Sequence, residues 1–210
     1  MTTDAAPRTA RRPAAAAARR AGAGALVLAA LVVGHLVTDA VGVSSGVEAP
    51  FVRSGAVGER VTLRYAHVTA GEPDGSTVLD PQDGTLLSTP GVWLTVPLEV
   101  EVRGEPRSLG HAEVVGGDGR TYGTSVSGRS VFSTGTMQPG VPRWTTVRVE
   151  LPVGAVPGAR LRVALGSTDQ RADDLAEIDL GLTAQDAQGW AADETPVVAG
   201  WYTDVPPEQQ

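Results

Sequence analysis

The residues best suited to move a proton near neutral pH are the three histidines, His35, His67 and His111. His35 lies in an apolar stretch, where a neutral imidazole near a membrane interface is tolerated and a functional intramembrane group is the alternative. His67 and His111 lie on predicted strands, and either could act as the base of a hydrolase with an acid from another strand. Because surface and cross-strand histidines show the same pattern, the sequence indicates no catalytic residue.

Acidic residues form two groups whose chemistry can be compared with known sites. Glu99 and Glu101 alternate onto one face of a predicted strand, where we expect solvated side chains rather than the carboxylate pair of a glycosidase. The second group consists of Asp173, Asp174, Glu177 and Asp179. Its oxygen atoms could coordinate calcium weakly, but the residues lack the regular Asp-x-Asp-x-Asp-Gly loop. We therefore predict no metal site and no cofactor.

Two residue types are missing from the sequence, and their absence excludes further classes of enzyme. All 17 basic residues are arginine, so the chain has neither the Ser-x-x-Lys of penicillin-binding proteins nor the Gly-Lys-Ser/Thr of a Walker loop. The chain also has no cysteine, which excludes disulfides, thiolate metal sites, cysteine nucleophiles and an acylated lipoprotein cysteine.

Aromatic side chains give the more useful indication of a binding surface. Trp93 is predicted to lie on the face of its strand opposite an apolar stripe. Three more aromatic residues, Trp190, Trp201 and Tyr202, lie near the C-terminus. Together these four side chains could form a platform for a sugar or a peptide. The alternative is that the rings pack beneath the C-terminal tail.

The N-terminus carries the clearest targeting signal. Residues 1–20 form a basic tail, and residues 21–43 form an apolar segment whose first part, 21–37, has no formal charge. Because about 20 apolar residues in a helix cross a bilayer core of roughly 30 Å, we predict a transmembrane signal-anchor helix over 21–43. The alternatives are a signal peptide cleaved near Ala40, which would release a secreted protein, and a twin-arginine export signal.

The formal charge changes sign along the chain and sets the predicted orientation. Residues 1–43 carry five arginines against two acids, and residues 44–210 carry 12 arginines against 22 acids. Basic residues before the apolar segment place the N-terminus in the cytoplasm and residues 44–210 outside the membrane. The acidic outer part should repel nucleic acid and anionic lipid headgroups, and we predict no nucleic-acid partner.

Period-two alternation dominates the chain from residue 58 onward and predicts strands with one buried face. In residues 92–103 every even-numbered position is apolar, while the odd-numbered positions carry Trp93, Pro97 and polar residues. Because Pro97 cannot donate a ladder hydrogen bond, we expect an edge, a bulge or a change of sheet there. Similar alternation predicts four more strands, which start near Val61, Val147, Leu161 and Ile178.

Two shorter strands, 109–115 and 120–123, are predicted on either side of a tight Asp118-Gly119 hairpin turn. About seven strands with hardly any helical periodicity predict an antiparallel β-sandwich over 58–183, with a small open barrel as the alternative. Residues 44–57 are small and polar and are predicted to form a linker. We expect part of the acidic tail, 184–210, to dock back onto the domain.

Four segments carry a resemblance to a known group of proteins: GVWLTV at 91–96, DGRTY at 118–122, QPG at 138–140 and VRVELP at 147–152. Through them, the domain resembles the immunoglobulin-like β-sandwich domains of unknown function on actinobacterial secreted and membrane-anchored proteins. The resemblance implies an extracytoplasmic, non-enzymatic protein and transfers no catalytic residue.

The topology and the lack of a catalytic set together predict an interaction module of the bacterial cell envelope. Such a module would be held at the membrane by residues 21–43 and would bind a partner protein or a cell-wall component. Two alternatives remain open, an envelope hydrolase that uses His67 or His111 and a passive structural or assembly subunit. Fold alone does not decide between them.

Overall fold

Two β-sheets form the part of the chain that the computed structural model describes, residues 50–123, 132–166, 173–199 and 202–203. The predicted tail over 1–20 and the predicted signal-anchor helix over 21–43 lie outside these residues. Within the described ranges, no helix has the length and apolar character needed to cross a membrane. The molecule described below is a mostly β, sandwich-like domain.

The described ranges contain eleven strands, one α-helix and one short 3-10 turn. In chain order the strands are β1 (Phe51–Ala56), β2 (Arg60–Thr62), β3 (Ala66–Ala70), β4 (Asp74–Asp80), β5 (Leu87–Val102), β6 (His111–Val115), β7 (Thr121–Gly123), β8 (Arg143–Leu151), β9 (Arg160–Ala164), β10 (Asp174–Asp179) and β11 (Val197–Val198). The 3-10 turn spans Val153–Ala155, and the helix, α1, spans Ala184–Ala191.

Sheet 1 has the strand order β1-β10-β9-β6-β7. β1 runs parallel to β10, whereas the other neighbours are antiparallel. β6 and β7 form the predicted hairpin, in which Gly119 has a φ of 77° and its amide donates to the Gly116 carbonyl over 2.9 Å. Since a side chain is strained at this φ, the Asp-Gly pair explains where the hairpin turns.

Sheet 2 is built around β5 and has the order β11-β4-β5-β3-β2, with β8 on the other side of β5. β4 pairs with the first half of β5, and β3 pairs with the second half. The change of neighbour occurs at Pro97, whose carbonyl accepts a hydrogen bond from the Gly71 amide over 2.8 Å. Pro97 therefore lies where a missing N–H costs least, in a central strand that changes partner rather than at an edge.

The core lies between the inner faces of the two sheets. The prediction that the even-numbered apolar residues of β5 share one buried face is confirmed. The six even-numbered apolar residues from Val92 to Val102 are all almost completely buried. Sheet 1 contributes the facing residues Ala112, Val114, Leu161, Val163, Ala176 and Ile178. Because burial of one Val or Leu side chain stabilises the fold by about 1.5–3 kcal/mol, this stripe fixes β5 at the centre of sheet 2.

The C-terminal region folds back onto the domain, beginning with α1. The hydroxyl of Thr183 caps the helix by accepting from the amides of Gln185 and Asp186, and the Asp186 carboxylate accepts from the Thr183 amide over 2.8 Å. Ala187 joins the core between the sheets. This Thr-x-x-Asp capping box is a local sequence signal for the start of the helix.

After α1 the chain crosses the outer face of sheet 2. β11 pairs in parallel with β4, and Thr203 exchanges two backbone hydrogen bonds of 2.8 Å with Trp144 on β8. β4 and β8 lie on opposite sides of β5, so described residues of the C-terminal region pair with the sheet on both sides of β5. We call residues 197–199 and 202–203 the C-terminal strap.

Several predicted boundaries are corrected by this structure. The segment Phe51–Ala56, which the sequence places in the linker 44–57, forms β1. The predicted tail 184–210 contains α1 and the strap. The strands number eleven in the described ranges rather than about seven, and two pairs are parallel. β1 escaped prediction because most of its side chains are exposed on both faces, which removes the alternation.

Candidate functional site

Trp93 does not contribute to a surface platform, because its side chain is completely buried. It lies on the outer face of sheet 2, as predicted, but the chain covers that face. The indole packs in a separate small cluster with Leu79, Leu87, Val197 and Ala199. The last two residues belong to the C-terminal strap. The alternative in which the ring packs beneath the C-terminal region is therefore correct for Trp93.

Of the other predicted aromatics, Trp190 and Tyr202 contact different parts of the domain. Trp190 is half-buried against the core, and a β-carbon on Gly75 would lie 2.6 Å from its ring. Tyr202 is 44% exposed and stacks under the Arg143 guanidinium, whose central carbon lies 4.7 Å from the ring centroid. Trp201 lies outside the described residues. Gly75 thus provides the space that Trp190 fills, and Tyr202 stays on the surface as the partner of an arginine.

The two histidines of the described ranges lie on outer strand faces and each contacts one possible partner. His67 Nδ1 lies 3.1 Å from the Thr62 hydroxyl. Partial burial, followed by the positive charges of Arg60 and Arg103, lowers the pKa of His67. His111 Nε2 lies 3.4 Å from a carboxylate oxygen of Glu113. Each imidazole is therefore held by a neighbouring side chain on or next to its own strand.

His111 belongs to a row of charged residues across sheet 1, which we call the charge ladder: His111, Glu113, Arg160, Arg162 and Glu177. Arg162 donates to Glu177 over 2.8 Å and lies 3.4 Å from Glu113, while Arg160 donates to Glu177 over 3.0 Å. The proximity of the His111 side chain, followed by the interaction with Arg162, lowers the pKa of Glu113. Every acid in the ladder thus has a cationic or imidazole partner.

Neither histidine contacts a serine among the described residues, and the one hydroxyl beside His67 is that of Thr62. The pentapeptide Gly42-Val43-Ser44-Ser45-Gly46 has the spacing of a nucleophile elbow. It spans the end of the apolar segment 21–43 and the start of the predicted linker 44–57, whereas the elbow requires a strand followed by a helix. These residues lie outside the described ranges. The structure therefore brings no described serine next to either histidine as a hydrogen-bonded pair.

Three of the four acids considered as calcium ligands, Asp173, Asp174 and Glu177, form ion pairs with arginines, and the fourth, Asp179, accepts a hydrogen bond from the Gly181 amide. Asp174 accepts a hydrogen bond from the Arg64 amide over 2.7 Å and lies 3.4 Å from Arg53 Nε. Asp173 accepts from the Arg64 guanidinium and from the Asp174 amide, each over 2.8 Å. In the part of the chain that is described, no group of three or more acids and histidines is placed to hold a metal ion.

These contacts belong to an open cleft of about 560 Å³ at one end of the sandwich. Its lining residues are Phe51, Arg53, Thr62, Leu63, Arg64, Arg103 and Asp174. We call it the arginine cleft. A volume in this range is typical of sites for small molecules or for a side chain of a partner.

Four separate parts of the chain position the arginine cleft. The parallel pairing of β1 with β10 sets Phe51 opposite Asp174 and brings Arg53 to the same end. The turn after β2 supplies Leu63 and Arg64. Arg103 follows β5, and its amide donates to the Tyr65 carbonyl over 2.8 Å. Because these residues come from sequence positions up to about 120 apart, no local motif marks the cleft.

The floor of the arginine cleft is fixed by buried groups. Leu63 is completely buried, and the Tyr65 hydroxyl donates to the Asp174 carbonyl over 2.6 Å. Burial and the negative charge of Asp173 raise the pKa of Tyr65 above its ordinary range, so this hydroxyl stays protonated as a donor. By contrast, Phe51 is 59% exposed, and the three arginine side chains reach solvent. The cleft therefore combines a rigid base with an exposed basic and aromatic rim.

Comparisons with known proteins identify no family. No family model matches the chain, and neither does any curated protein. Among solved structures, the yjhA protein from Bacillus subtilis is similar over 60% of this chain and 99% of that protein, at 16% identity and a TM-score of 0.43. An uncharacterized beta-sandwich protein from Clostridium difficile 630 is similar over 62% and 96%, at 10% identity and a TM-score of 0.38.

Proposed function

We propose that the protein is an interaction module of the bacterial cell envelope, anchored by residues 21–43, with an immunoglobulin-like domain on the extracytoplasmic side. The domain binds a partner protein or an envelope component at the arginine cleft. The basic tail and apolar segment of the sequence support the anchoring and the orientation. The actinobacterial resemblance supports the same placement.

The observation that carries the proposal is the rim of the arginine cleft. An exposed phenylalanine next to arginines has the composition of the centre of a protein interface, where aromatic residues and arginine are enriched. Elsewhere in the described domain, the predicted aromatics are buried or paired and the ladder charges neutralise each other. The cleft is therefore the surface best suited to a partner.

A site-specific photocrosslinking experiment in intact cells tests this function. A photoreactive amino acid replaces Phe51 in the full-length chain, and a matched control carries it at Leu86, which is 61% exposed on the turn between β4 and β5. We expect a light-dependent adduct from position 51 that is recovered with the membrane fraction. Equal adducts from both positions, or none from position 51, would contradict the proposal.

A further inference from the structure

We infer that the arginine cleft binds its ligand through an oxyanion, a carboxylate or a phosphate group, held by guanidinium groups beside the exposed ring of Phe51. This inference rests on the proposed function, because it names the chemical class of ligand at the same site. The net negative charge of residues 44–210 predicts that the domain repels anions. We infer the opposite for the end of the domain that carries the arginine cleft.

The first step of the argument is the charge of the cleft itself. Three arginines line it, whereas Asp174 is the one acid among its lining residues. Asp174 is nearly buried, and its carboxylate already accepts from the Arg64 amide and lies beside Arg53. The solvent-facing part of the cleft is therefore positively charged, within a chain that is acidic overall.

The second step is that the acids hold two arginines in place and leave one available. Asp173 orients the Arg64 guanidinium through a hydrogen bond of 2.8 Å, and Asp174 lies 3.4 Å from Arg53. Among the described residues, the side chain of Arg103 has no ion-pair partner, although its backbone is fixed by the bond to Tyr65. The cleft thus offers an unneutralised guanidinium on a backbone position that is fixed by a hydrogen bond.

The third step is the chemistry that such a group recognises. A guanidinium presents five N–H donors in a planar fork that matches the two oxygens of a carboxylate or a phosphate. Neutral ligands would leave the excess charge uncompensated, and cations would be repelled. The Thr62 hydroxyl, which also lines the cleft, adds a polar group that is shared with His67. Phe51 can cover an apolar part of the ligand.

An NMR titration of the full-length chain in neutral detergent tests the inference. The arginine Nε–H signals are followed while inorganic phosphate, or acetate in a second series, replaces chloride at constant ionic strength. We expect saturable shifts at Arg64 and Arg103. The Arg103→Gln variant should weaken the affinity for the probe at least about tenfold, since a hydrogen-bonded charge is lost. The matched control, Arg120→Gln on the β6–β7 hairpin, should bind like the parent chain.

The possible outcomes distinguish a phosphate ligand from a carboxylate ligand. They also distinguish failure of the anion site from failure of the proposed interaction function. Saturation by phosphate indicates a phosphorylated ligand, and saturation by acetate alone indicates a carboxylate. Shifts that never saturate, or that are equally large at Arg120, would overturn the inference. If these occur while Phe51 still gives its crosslink, the interaction function stands without an anionic ligand. If the anion binds but no crosslink forms, the cleft is an anion site and the interaction function fails.

Discussion

The outer faces of the two sheets show similar alternation in the sequence but have different surroundings in the structure. On sheet 1 the outward residues form the charge ladder, which remains in contact with solvent. On sheet 2 the outward residue Trp93 is completely buried beneath the chain. The difference arises because residues of the C-terminal strap pair with β4 and with β8, and Val197 and Ala199 pack on Trp93.

A side chain on the outer face of a sheet can therefore be buried in a second hydrophobic cluster, as Trp93 is. The ladder residues pair with one another across β6, β9 and β10, so their face needs no cover. Trp93 instead presents a large apolar surface that only packing can remove from water. The strap supplies that packing through Val197 and Ala199.

The largest expected change in the free energy of unfolding comes from Trp93 and distinguishes the outer face of sheet 2 from that of sheet 1. Trp93→Ala should lower the free energy of unfolding by about 3–5 kcal/mol, because a fully buried aromatic ring is replaced by a cavity. Trp93→Phe should cost less, since most of the volume stays filled. Urea unfolding of the full-length chain in detergent, followed by circular dichroism, measures both. If Trp93→Ala costs no more than Arg162→Ala on the ladder, the two faces do not differ as described.

A smaller loss of stability tests whether the C-terminal strap packs on the outer face of sheet 2. Val197→Ala should destabilise the domain by about 1–2 kcal/mol, because two buried methyl groups are lost. The neighbouring Val198 is 54% exposed and gives a matched control of the same size and strand. Val198→Ala should change the stability by less than about 0.5 kcal/mol. Equal losses from both variants would argue against one-sided packing of the strap.

The smallest effect concerns the ladder and depends on pH. Because the folded state lowers the pKa of Glu113, its carboxylate adds stability above the ordinary glutamate pKa, and that stability is lost as the pH falls through the lowered value. The free energy of unfolding of the parent chain should therefore exceed that of Glu113→Gln by at most about 1 kcal/mol near neutral pH. The difference should shrink as the pH falls below the ordinary glutamate pKa of about 4.3 and should disappear once Glu113 is protonated in both the folded and the unfolded state. A constant difference across this range would show that Glu113 acts through packing rather than charge.

Much of the fold could be predicted from local patterns in the sequence. The stripe on β5 determines which face is buried, because side chains alternate strictly along a strand and apolar burial is the dominant stabilising term. The Asp118-Gly119 turn could also be predicted, since its geometry depends on two adjacent residues. β1 and the strap could not, because main-chain pairing with distant strands holds them rather than an alternating pattern of their own.

The candidate site could be predicted from the sequence less well than the fold could. The sequence by itself determined the basic and apolar N-terminus, the acidic character of residues 44–210, the β-rich domain and the lack of lysine and cysteine, all of which follow from residue types and short spacings. Only the tertiary structure decided that Trp93 is buried and that Arg53, Arg64 and Arg103 share a cleft. Burial and convergence of charge depend on which distant strands become neighbours, and in this chain those neighbours are set by pairing across more than 100 residues.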